Sequence, residues 1–302
     1  MKYVVIGGAG FIGSNLVDKL ISLGHSVDII DDLSTGKKEN INSQAMIYTL
    51  DISMKSNSTK MISIMKESDT VFLLAAKARV QPSIEKPLEY ELNNTIGVLN
   101  ALKCAADAGV RRVVYSASSS AYGNCKNFPT KESEPTNPLS PYGAQKLYGE
   151  IMCTMFAQIY NIETVSLRYF SIYGERQNID GAYALVMGIF AYQRLNRKPM
   201  TIRGDGEQRR DFTYVGDVVN ANILASQSKK VGKGEVINIG NGDNRSVNQI
   251  ADMIGGDRIN VEPVIEPRET LADNSLAKKL LNWKPTQKIE DWFPKYKKEI
   301  GL

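Results

Sequence analysis

A tyrosine and a lysine four residues apart, Tyr142 and Lys146, are the side chains of this sequence best suited to proton transfer. Four residues make about one helical turn, so the two side chains share a face if the segment is helical. A phenol has a pKa of about 10, too high for a base at neutral pH, and a neighbouring cation favours its phenolate form. The spacing therefore predicts a tyrosine whose pKa is lowered by Lys146 toward the range of a working base.

Histidine and cysteine, the other common choices for such chemistry, are scarce. The chain has one histidine, His25, and three cysteines, Cys104, Cys125 and Cys153, whose spacing matches neither a metal site nor a disulfide framework. We therefore expect no metal ion and a reaction that does without histidine. The cysteine usage fits a reduced, cytoplasmic setting.

The composition is that of an ordinary globular protein. Of 302 residues, 42% are hydrophobic and 23% are charged, and the net charge is +4 with acids and bases mixed along the chain. This balance argues only weakly for nucleic acid, and no long apolar stretch predicts a membrane span. The first residues run into a glycine-rich loop, so we expect no signal peptide.

Short β-rich runs alternate with helical patterns in the first half of the chain. The predicted strands are residues 2–7, 25–31, 46–51, 70–75, 111–118 and 164–170, and the predicted helices are 11–23, 88–108 and 142–160. This alternation predicts a parallel sheet with helices on both faces.

The pattern is weaker after about residue 172. Predicted helices cover 181–198, 218–227 and 246–255, the last with Ser246 as N-cap, and 235–240 is a predicted strand. We predict an α/β fold, a Rossmann-type doubly wound parallel sheet with a smaller mixed α/β substrate-binding lobe. The expected boundaries are 1–171 plus roughly 212–240 for the NAD-binding domain, and 172–211 with 241–302 for the interleaved lobe.

Three glycines directly after the first predicted strand form a dinucleotide-binding pattern. Gly7 permits a tight turn, Gly10 lets the backbone approach a pyrophosphate, and Gly13 allows the following helix to pack closely. An acid, Asp31, ends the second strand, where a carboxylate accepts hydrogen bonds from ribose hydroxyls and repels a 2′-phosphate. The pattern predicts NAD rather than NADP.

The glycine loop and the Tyr142–Lys146 pair in one chain resemble the extended short-chain dehydrogenases/reductases. More narrowly, the chain resembles the nucleotide-sugar epimerases, the UDP-glucose or UDP-N-acetylglucosamine 4-epimerase family. The likeness covers nearly the whole chain, and the matching segments follow in the family's order at 31–36, 73–83, 93–102, 116–123, 167–177, 204–219 and 238–242.

The resemblance implies a tightly bound NAD and further residues around it. Asp51 and Ile52 are expected near the adenine, although an acid at a strand end is often only solvated. The predicted cofactor-binding residues are Gly7, Gly10, Phe11, Ile12, Gly13, Asp31, Asp32, Ser34, Thr35, Gly36, Asp51, Ile52, Leu74, Ala75, Ala76, Ala78, Asn93, Ser116, Tyr142, Lys146 and Phe170.

A third catalytic residue is implied five positions before the glycine of a Tyr-Gly pair, which here gives Ser118, with Ser119 and Ser120 as competitors. Relatives that dehydrate nucleotide sugars carry an Asp-Glu pair after this position, and decarboxylating relatives keep the Glu. The serines here disfavour both reactions and leave a 4-epimerisation. In it, Tyr142 removes the C4 hydroxyl proton as the carbon is oxidised by NAD, the 4-keto sugar rotates, and re-reduction occurs on its other face.

The substrate side of the resemblance is less complete. Arg210 matches the arginine that pairs with the diphosphate, and Arg209 is interpreted as a solvated neighbour or a helper. A second family arginine falls on Pro263 or Val264, which leaves Arg268 as a nearby candidate.

The resemblance implies that Thr270 faces the sugar 2-substituent, and its small side chain predicts tolerance of an N-acetyl group. Segment 181–186 also resembles the members that accept N-acetylated sugars. Ser171 stands where the family has a sugar- or diphosphate-binding Asn. The predicted substrate-binding residues are Ser118, Tyr142, Ser171, Leu185, Arg210, Arg268 and Thr270.

Other functions remain open at this point. The same fold could act on a UDP-uronate or a UDP-pentose, or serve as a non-catalytic NAD-binding regulator, although a regulator has no need of Ser118, Tyr142 and Lys146. A reductase releasing NADPH is disfavoured by Asp31. The resemblance implies a homodimer formed through helices 88–108 and 142–160, with a UDP-sugar as ligand and no nucleic acid or membrane partner.

Overall fold

A computed structural model of the protein describes residues 1–179 and 184–302. The strands are β1 (Lys2–Ile6), β2 (Ser26–Asp31), β3 (Met46–Thr49), β4 (Thr70–Leu73), β5 (Arg112–Ser118), β6 (Glu163–Tyr169), β7 (Ile172–Tyr173), β8 (Met200–Arg203), β9 (Arg209–Asp211), β10 (Thr213–Tyr214), β11 (Lys233–Ile239), β12 (Asn244–Ser246) and β13 (Arg258–Val261).

Helices connect these strands. The α-helices are α1 (Phe11–Ser22), α2 (Ser58–Met65), α3 (Val80–Glu85), α4 (Pro87–Glu91), α5 (Val98–Asp107), α6 (Pro141–Ile159), α7 (Val186–Leu195), α8 (Val215–Gln227), α9 (Val247–Ile254), α10 (Ser275–Leu281) and α11 (Ile289–Ile300). Short 3-10 turns occur at Lys38–Asn40, Lys55–Asn57 and Ser119–Ala121, and a π-helical segment occurs at Leu92–Gly97.

Seven strands of the described chain form one parallel sheet in the order β11-β6-β5-β4-β1-β2-β3. Its strands are nearly continuous apolar runs because both faces are covered. Tyr3 and Val5 of β1 point into the core under α1, α8 and α10, whereas Val4 and Ile6 point into the core under α2, α5 and α6. The predicted α/β fold with a doubly wound parallel sheet is confirmed.

The direction of strand addition reverses at β1: β2 and β3 follow on one side of it, and the chain then returns from β3 to place β4 on the other side. At such a switch point the loops after the two strands diverge and leave a crevice at the carboxyl edge of the sheet. The fold therefore places the glycine loop after β1 and the loop after β4 on opposite walls of one crevice.

The later elements form a smaller body with its own apolar cluster. Phe190 of α7, Ile202 of β8, Ile250 of α9 and Trp292 of α11 are buried together in it. Trp292 also stacks on Tyr296, with ring centroids 4.5 Å apart. The paired strands β8 and β13 form one edge of this body. The residue boundaries given above for the two domains stay a prediction.

The elements match the sequence patterns closely, with one informative exception. Ser246 caps α9 as predicted, because its hydroxyl accepts from the Gln249 N–H while the Gln249 side chain accepts from the Ser246 N–H. The predicted helix 88–108 instead comprises α4, the π-helical segment and α5. That segment turns Asn94 toward the loop after β4, where its amide bonds both the N–H and the carbonyl of Lys77 at 2.9 Å.

No helix among residues 1–179 and 184–302 is long and apolar enough to cross a bilayer. The same residues contain no cluster of His, Cys, Asp and Glu that could hold a metal ion. Of the predicted helix 181–198, residues 181–183 lie outside the described part.

Candidate active site

A cavity of about 860 Å³ opens at the carboxyl edge of the sheet, between the sheet and the smaller body. Its walls include the glycine loop after β1, the loop after β4, the end of β5 and the start of α6. Strands and loops of the smaller body close its far side. This volume and position are typical of a site for small-molecule ligands.

The glycine loop is packed so closely that side chains do not fit. Gly7 has φ of +86°, and a Cβ there would lie 2.6 Å from the Ala75 nitrogen. A Cβ on Gly13 would lie 2.0 Å from the Gly7 oxygen. The loop leads into the N-terminus of α1, whose free N–H groups and dipole attract a phosphate. This cradle fits a dinucleotide, as the sequence pattern predicts.

Asp31 lies beside the glycine cradle. Its carboxylate accepts from the Ala9 N–H and the Leu33 N–H, each at 2.9 Å, and the residue lines the cavity. Burial raises the pKa of Asp31, while these two backbone hydrogen bonds hold it down. A carboxylate has about four acceptor positions, so the remaining ones can take ribose hydroxyls.

The segment around Tyr142 and Lys146 forms the first turns of α6. Ser140 caps the helix by accepting from the Gly143 N–H at 3.2 Å, and Pro141 occupies the first turn. The Tyr142 N–H donates to the Ser83 hydroxyl of α3 at 3.2 Å. The Lys146 ammonium donates to the Ser116 carbonyl at 2.7 Å. Helix α6 is thereby fixed to both α3 and β5.

Ser118 ends β5 beside this helix. Its hydroxyl accepts from the Ser120 N–H at 3.1 Å and lies near enough to the Tyr142 phenol to lower the pKa of that group. The structure thus brings together Ser118, Tyr142 and Lys146 on one wall of the cavity. Ser119 and Ser120 line the cavity as well, so a carboxylate is absent from both positions after Ser118.

The electrostatics of the pair differ from the expectation based on spacing. Burial raises the pKa of Tyr142, and the opposing influences are the Ser118 hydrogen bond and the positive charge of Arg79. Burial also lowers the pKa of Lys146 to about 7. The prediction that Lys146 lowers the pKa of Tyr142 is therefore wrong for this structure, because desolvation removes much of the lysine's charge and penalises the phenolate.

Most of the predicted cofactor residues line the cavity, but three do not. A Cβ on Gly36 would lie 2.8 Å from the Asp31 carboxylate, so Gly36 is a packing position. The Asp51 carboxylate accepts from the Ser53 N–H at 2.8 Å and from the Ser53 hydroxyl at 2.7 Å. The Phe170 side chain is buried against Tyr122. The cofactor residues that line the cavity are Gly7, Gly10, Phe11, Ile12, Gly13, Asp31, Asp32, Ser34, Thr35, Ile52, Leu74, Ala75, Ala76, Ala78, Asn93, Ser116, Tyr142 and Lys146.

The predicted substrate residues Ser171, Leu185, Arg210 and Thr270 line the far side of the cavity. Arg268 does not. It is exposed and pairs with Asp205 at 2.7 and 2.9 Å.

The two arginines of β9 are each held by a neighbour. Arg210 pairs with Glu266 at 2.5 Å. The sequence left Arg209 as a solvated neighbour or a helper. In the structure its guanidinium donates to the Asn244 side chain at 2.7 Å. Its bond lies within the β9–β12 pair, so Arg209 is a structural residue.

Three cavity-lining arginines, Arg79, Arg176 and Arg203, were not identified from the sequence. Arg79 precedes α3 with φ of +113°, a conformation that is costly for a side-chain-bearing residue. Arg203 ends β8 and lines the cavity from the smaller body. Arg79 lies within the matching segment 73–83 and Arg203 directly precedes the segment 204–219, but no pattern singles out either side chain. Only the tertiary fold shows that they reach the site. The alternation in β8, with Met200 and Ile202 buried, was a weak signal for Arg203.

We expect Gly13→Ala to abolish retention of NAD through purification, because the added Cβ would meet the Gly7 carbonyl and open the turn. The measurement is NAD released on heat denaturation, quantified by chromatography per mole of protein. Gly24→Asn is the control, since Gly24 has φ of +79° and nothing within 4 Å of an added Cβ, and Asn tolerates that conformation. Equal NAD in Gly13→Ala and the unaltered protein would contradict the cradle.

We expect cofactor-free protein to gain stability relative to Lys146→Met as the pH rises from about 7 toward 10. Lys146 has a pKa of about 7 when folded against an ordinary value of 10.5, so between these values only the unfolded chain binds the proton. Below pH 7 the penalty for burying the charge is fully present. The measurement is the difference in urea midpoints at pH 7 and 9.5. The exposed Lys55→Met serves as control, and a difference independent of pH would refute the shift.

Comparison with known proteins agrees with this geometry. The chain is 41% identical over 252 residues, 83% of this chain and 80% of the relative, to a putative UDP-glucose 4-epimerase of Methanocaldococcus jannaschii. It superposes on UDP-glucose 4-epimerase of Thermotoga maritima, solved with UDP-glucose, with TM-score 0.93, 37% identity and full coverage of both chains.

A second solved structure is a UDP-N-acetylglucosamine 4-epimerase from Methanobrevibacter ruminantium in complex with UDP-N-acetylmuramic acid. The TM-score is 0.90 and the identity 36%, covering 97% of this chain and 95% of that one. A family model described as the NAD dependent epimerase/dehydratase family matches residues 3–240. The chain therefore belongs to the NAD dependent epimerase/dehydratase family.

Proposed function

We propose that the protein is an NAD-dependent UDP-sugar 4-epimerase, an isomerase acting on UDP-glucose and UDP-galactose. The observation that carries the proposal is the meeting of Ser118, Tyr142 and Lys146 on one wall of a cavity whose other wall holds the glycine cradle. The named relatives, which are 4-epimerases of UDP-glucose and UDP-N-acetylglucosamine, support it.

Each of the three residues has a role in this proposal. Tyr142 takes the proton from the C4 hydroxyl and returns it after the sugar has turned over. Ser118, whose hydroxyl acts on the pKa of Tyr142, shares a hydrogen bond with the reacting oxygen. Lys146 holds the ribose on the nicotinamide side of the cofactor. NAD, when bound, supplies the transient oxidation of the sugar carbon and its re-reduction, and its positive ring also favours the phenolate.

The residues next to Ser118 favour epimerisation over dehydration. Removing water from a sugar takes a carboxylic acid and a base near the leaving hydroxyl. Ser119 and Ser120 line the cavity at the two positions after Ser118, and neither hydroxyl can act as such an acid. The site is therefore suited to oxidation and re-reduction at a single carbon.

The smaller body is proposed to hold the UDP and the sugar. Arg210 contacts the diphosphate, and Ser171 and Leu185 contact the sugar or its phosphates. Thr270 faces the sugar 2-substituent, and its small size supports acceptance of an N-acetyl group; its hydroxyl accepts from the Asp211 N–H at 3.2 Å. In the segment 181–186, proposed for the same preference, residues 181–183 lie outside the described part.

A UDP-uronate is a second candidate substrate, and one observation favours it. A uronate requires hydrogen-bond donors near its carboxylate, and Arg79 lines the cavity close enough for its charge to act on Tyr142. Burial lowers the pKa of Arg79 to about 10, so the side chain stays cationic at neutral pH. The substrate test below therefore includes UDP-glucuronate.

We expect the purified protein to convert UDP-glucose and UDP-N-acetylglucosamine to their C4 epimers without added cofactor. Tyr142→Phe should lower the rate by about 10³-fold while retaining bound NAD, since it removes only the proton acceptor. Products are resolved by anion-exchange chromatography, and NAD is assayed after denaturation. Turnover of UDP-glucose alone would refute the role of Thr270. Turnover of UDP-glucuronate alone would favour the second candidate, and no turnover with NAD retained would favour a regulator.

We also propose a homodimer formed by α4, the π-helical segment and α6, in a reduced, cytoplasmic setting consistent with three free cysteines. Leu88, Leu92 and Ile96 recur every fourth residue and are 81%, 56% and 47% exposed, and Ile151 of α6 is 55% exposed. Such a stripe of large apolar side chains on adjacent helices is typical of a protein interface.

We expect Leu88→Glu combined with Leu92→Glu to convert the dimer to a monomer, because two charges would be buried at the interface. Light scattering after size-exclusion chromatography gives the mass. Ile259→Glu is the matched control, because Ile259 is a similarly exposed apolar residue, on β13. A monomeric unaltered protein, or an unchanged dimer in the double variant, would exclude this interface.

A further inference from the structure

The Tyr115 ring lies under α6 because of the alternation of β5. Tyr115 and Ala117 are buried in the apolar cluster under α2, α5 and α6, whereas Val114 is buried on the opposite face of the sheet. Strand β5 is paired on both edges, with Tyr115 opposite Leu73 of β4 and Ser166 of β6. A central strand therefore fixes the direction in which the ring leaves the backbone.

The end of this ring fills a gap that a glycine leaves in the helix. A Cβ on Gly149 would lie 2.2 Å from the Tyr115 hydroxyl oxygen. Tyr115 is fully buried, and its hydroxyl has no hydrogen-bond partner within residues 1–179 and 184–302. An unpaired buried hydroxyl costs free energy, so the favourable contribution of Tyr115 comes from its ring.

The face of the Tyr115 ring is occupied by the Lys146 ammonium. Lys146 lies one turn before Gly149 on the same face of α6, and its Nζ is 5.1 Å from the ring centroid. The ammonium also donates to the Ser116 carbonyl at 2.7 Å and contacts the Ser116 hydroxyl at 3.4 Å. A cation within about 6 Å of an aromatic face is attracted by its π-electrons, and more strongly when both groups are out of water.

The ionisable groups around Lys146 supply little negative charge. Within the described part of the chain Lys146 forms no ion pair. Glu150 attracts the ammonium, but it shares its charge with Arg168 of β6 in a two-bond pair. Burial raises the pKa of Tyr142 and raises that of Cys153 to about 12, so neither is an anion at neutral pH. The aromatic face therefore adds to a weak anionic environment.

We propose that Tyr115 is a positioning residue for Lys146, and that its ring face holds the ammonium in its charged form at the place where it meets the ribose of the cofactor. The proposal rests on the proposed function, which gives Lys146 its role at the ribose. Lys146 lines the cavity and Tyr115 does not. Tyr115 therefore acts through Lys146, without touching the cofactor or the sugar.

The experiment follows Lys146 directly, by NMR of the NAD-loaded protein isotope-labelled at the ε-carbon of lysine. The Lys146 signal is identified by its absence in Lys146→Met, and its chemical shift in a pH titration gives the pKa. Three replacements of Tyr115 are compared: Tyr115→Phe, Tyr115→Leu, and pentafluorophenylalanine introduced at the same position. The fluorinated ring keeps nearly the shape of phenylalanine but reverses the charge of the ring face, so it separates electrostatics from packing.

We expect Tyr115→Phe to leave the pKa of Lys146 nearly unchanged, because the ring face is kept. The fluorinated ring and Tyr115→Leu should each lower it by about one unit, as loss of a buried contact between a cation and a ring predicts. The fluorinated ring decides the question even where Tyr115→Leu does not fold. A pKa that the fluorinated ring leaves unchanged would overturn the proposal. An equal fall in Tyr115→Phe would also overturn it, because it would assign the effect to the hydroxyl.

Retention of NAD gives a second readout that needs no turnover. The fluorinated ring should speed the loss of NAD on dialysis by about tenfold relative to Tyr115→Phe, because the ammonium is held less firmly at the ribose. The matched control is pentafluorophenylalanine in place of Phe156, which is buried in the same cluster about three turns further along α6. Equal loss of NAD in this control and in the fluorinated variant of Tyr115 would indicate a packing effect and refute the role of the ring face.

This proposal and the proposed function fail in distinguishable ways. If the pKa of Lys146 and the retention of NAD respond to the fluorinated ring but no UDP-sugar is epimerised, the role of Tyr115 stands and the proposed function fails. If UDP-glucose is epimerised and neither quantity responds, only the role of Tyr115 is wrong. If the purified protein holds no NAD, both fail.

Discussion

The hydrogen bond from the Lys146 ammonium to the Ser116 carbonyl fixes α6 to the end of β5, and the geometry of the site depends on it. Ser116 lies two residues before Ser118 on the strand, and Lys146 lies one turn after Tyr142 on the helix. One contact therefore sets the two hydroxyls side by side. One turn further along α6, Glu150 forms a buried two-bond pair with Arg168 of β6, which repeats the connection between helix and sheet.

This arrangement has a cost in stability. The Lys146 ammonium is buried against the Tyr115 ring, 5.1 Å from its centroid, and burial brings its pKa to about 7. Arg79 combines a left-handed backbone conformation with a partly desolvated charge. The Tyr90 hydroxyl donates to the carbonyl of Ala78, the residue before Arg79, at 3.0 Å and so helps to fix that loop. Strain and desolvation at adjacent positions of one cavity are expected where a fold serves chemistry rather than stability.

The sequence was sufficient to predict the fold and the part of the site that lies at the carboxyl edge of the sheet, because those features depend on local patterns. The glycine triplet, Asp31 and the Tyr142–Lys146 spacing each lie within one strand, turn or helix, and the parallel sheet aligns their ends. The pKa values were not predictable, since burial, which comes from the whole fold, outweighs the neighbouring charge. Arg203 was missed for a related reason: Glu266, which Gln208 links to the Arg203 carbonyl, comes from a distant segment, and only packing of the smaller body brings it there.

Under the proposed function, the two ends of the cavity would hold the same kind of group, a diphosphate, by different chemistry. At the cradle, a Cβ on Gly7 or Gly13 would meet backbone atoms closer than 3 Å, so the binding surface is rigid main chain, with the Asp31 carboxylate next to it. At the other end, the proposed contact is the side chain of Arg210 in β9, which pairs with Glu266, so that an entering phosphate would replace one anion with another. A rigid cradle favours a ligand that stays, whereas side chains with a competing carboxylate favour one that leaves. Under the proposed function this difference suits a cofactor retained through every cycle and a UDP-sugar released after each one.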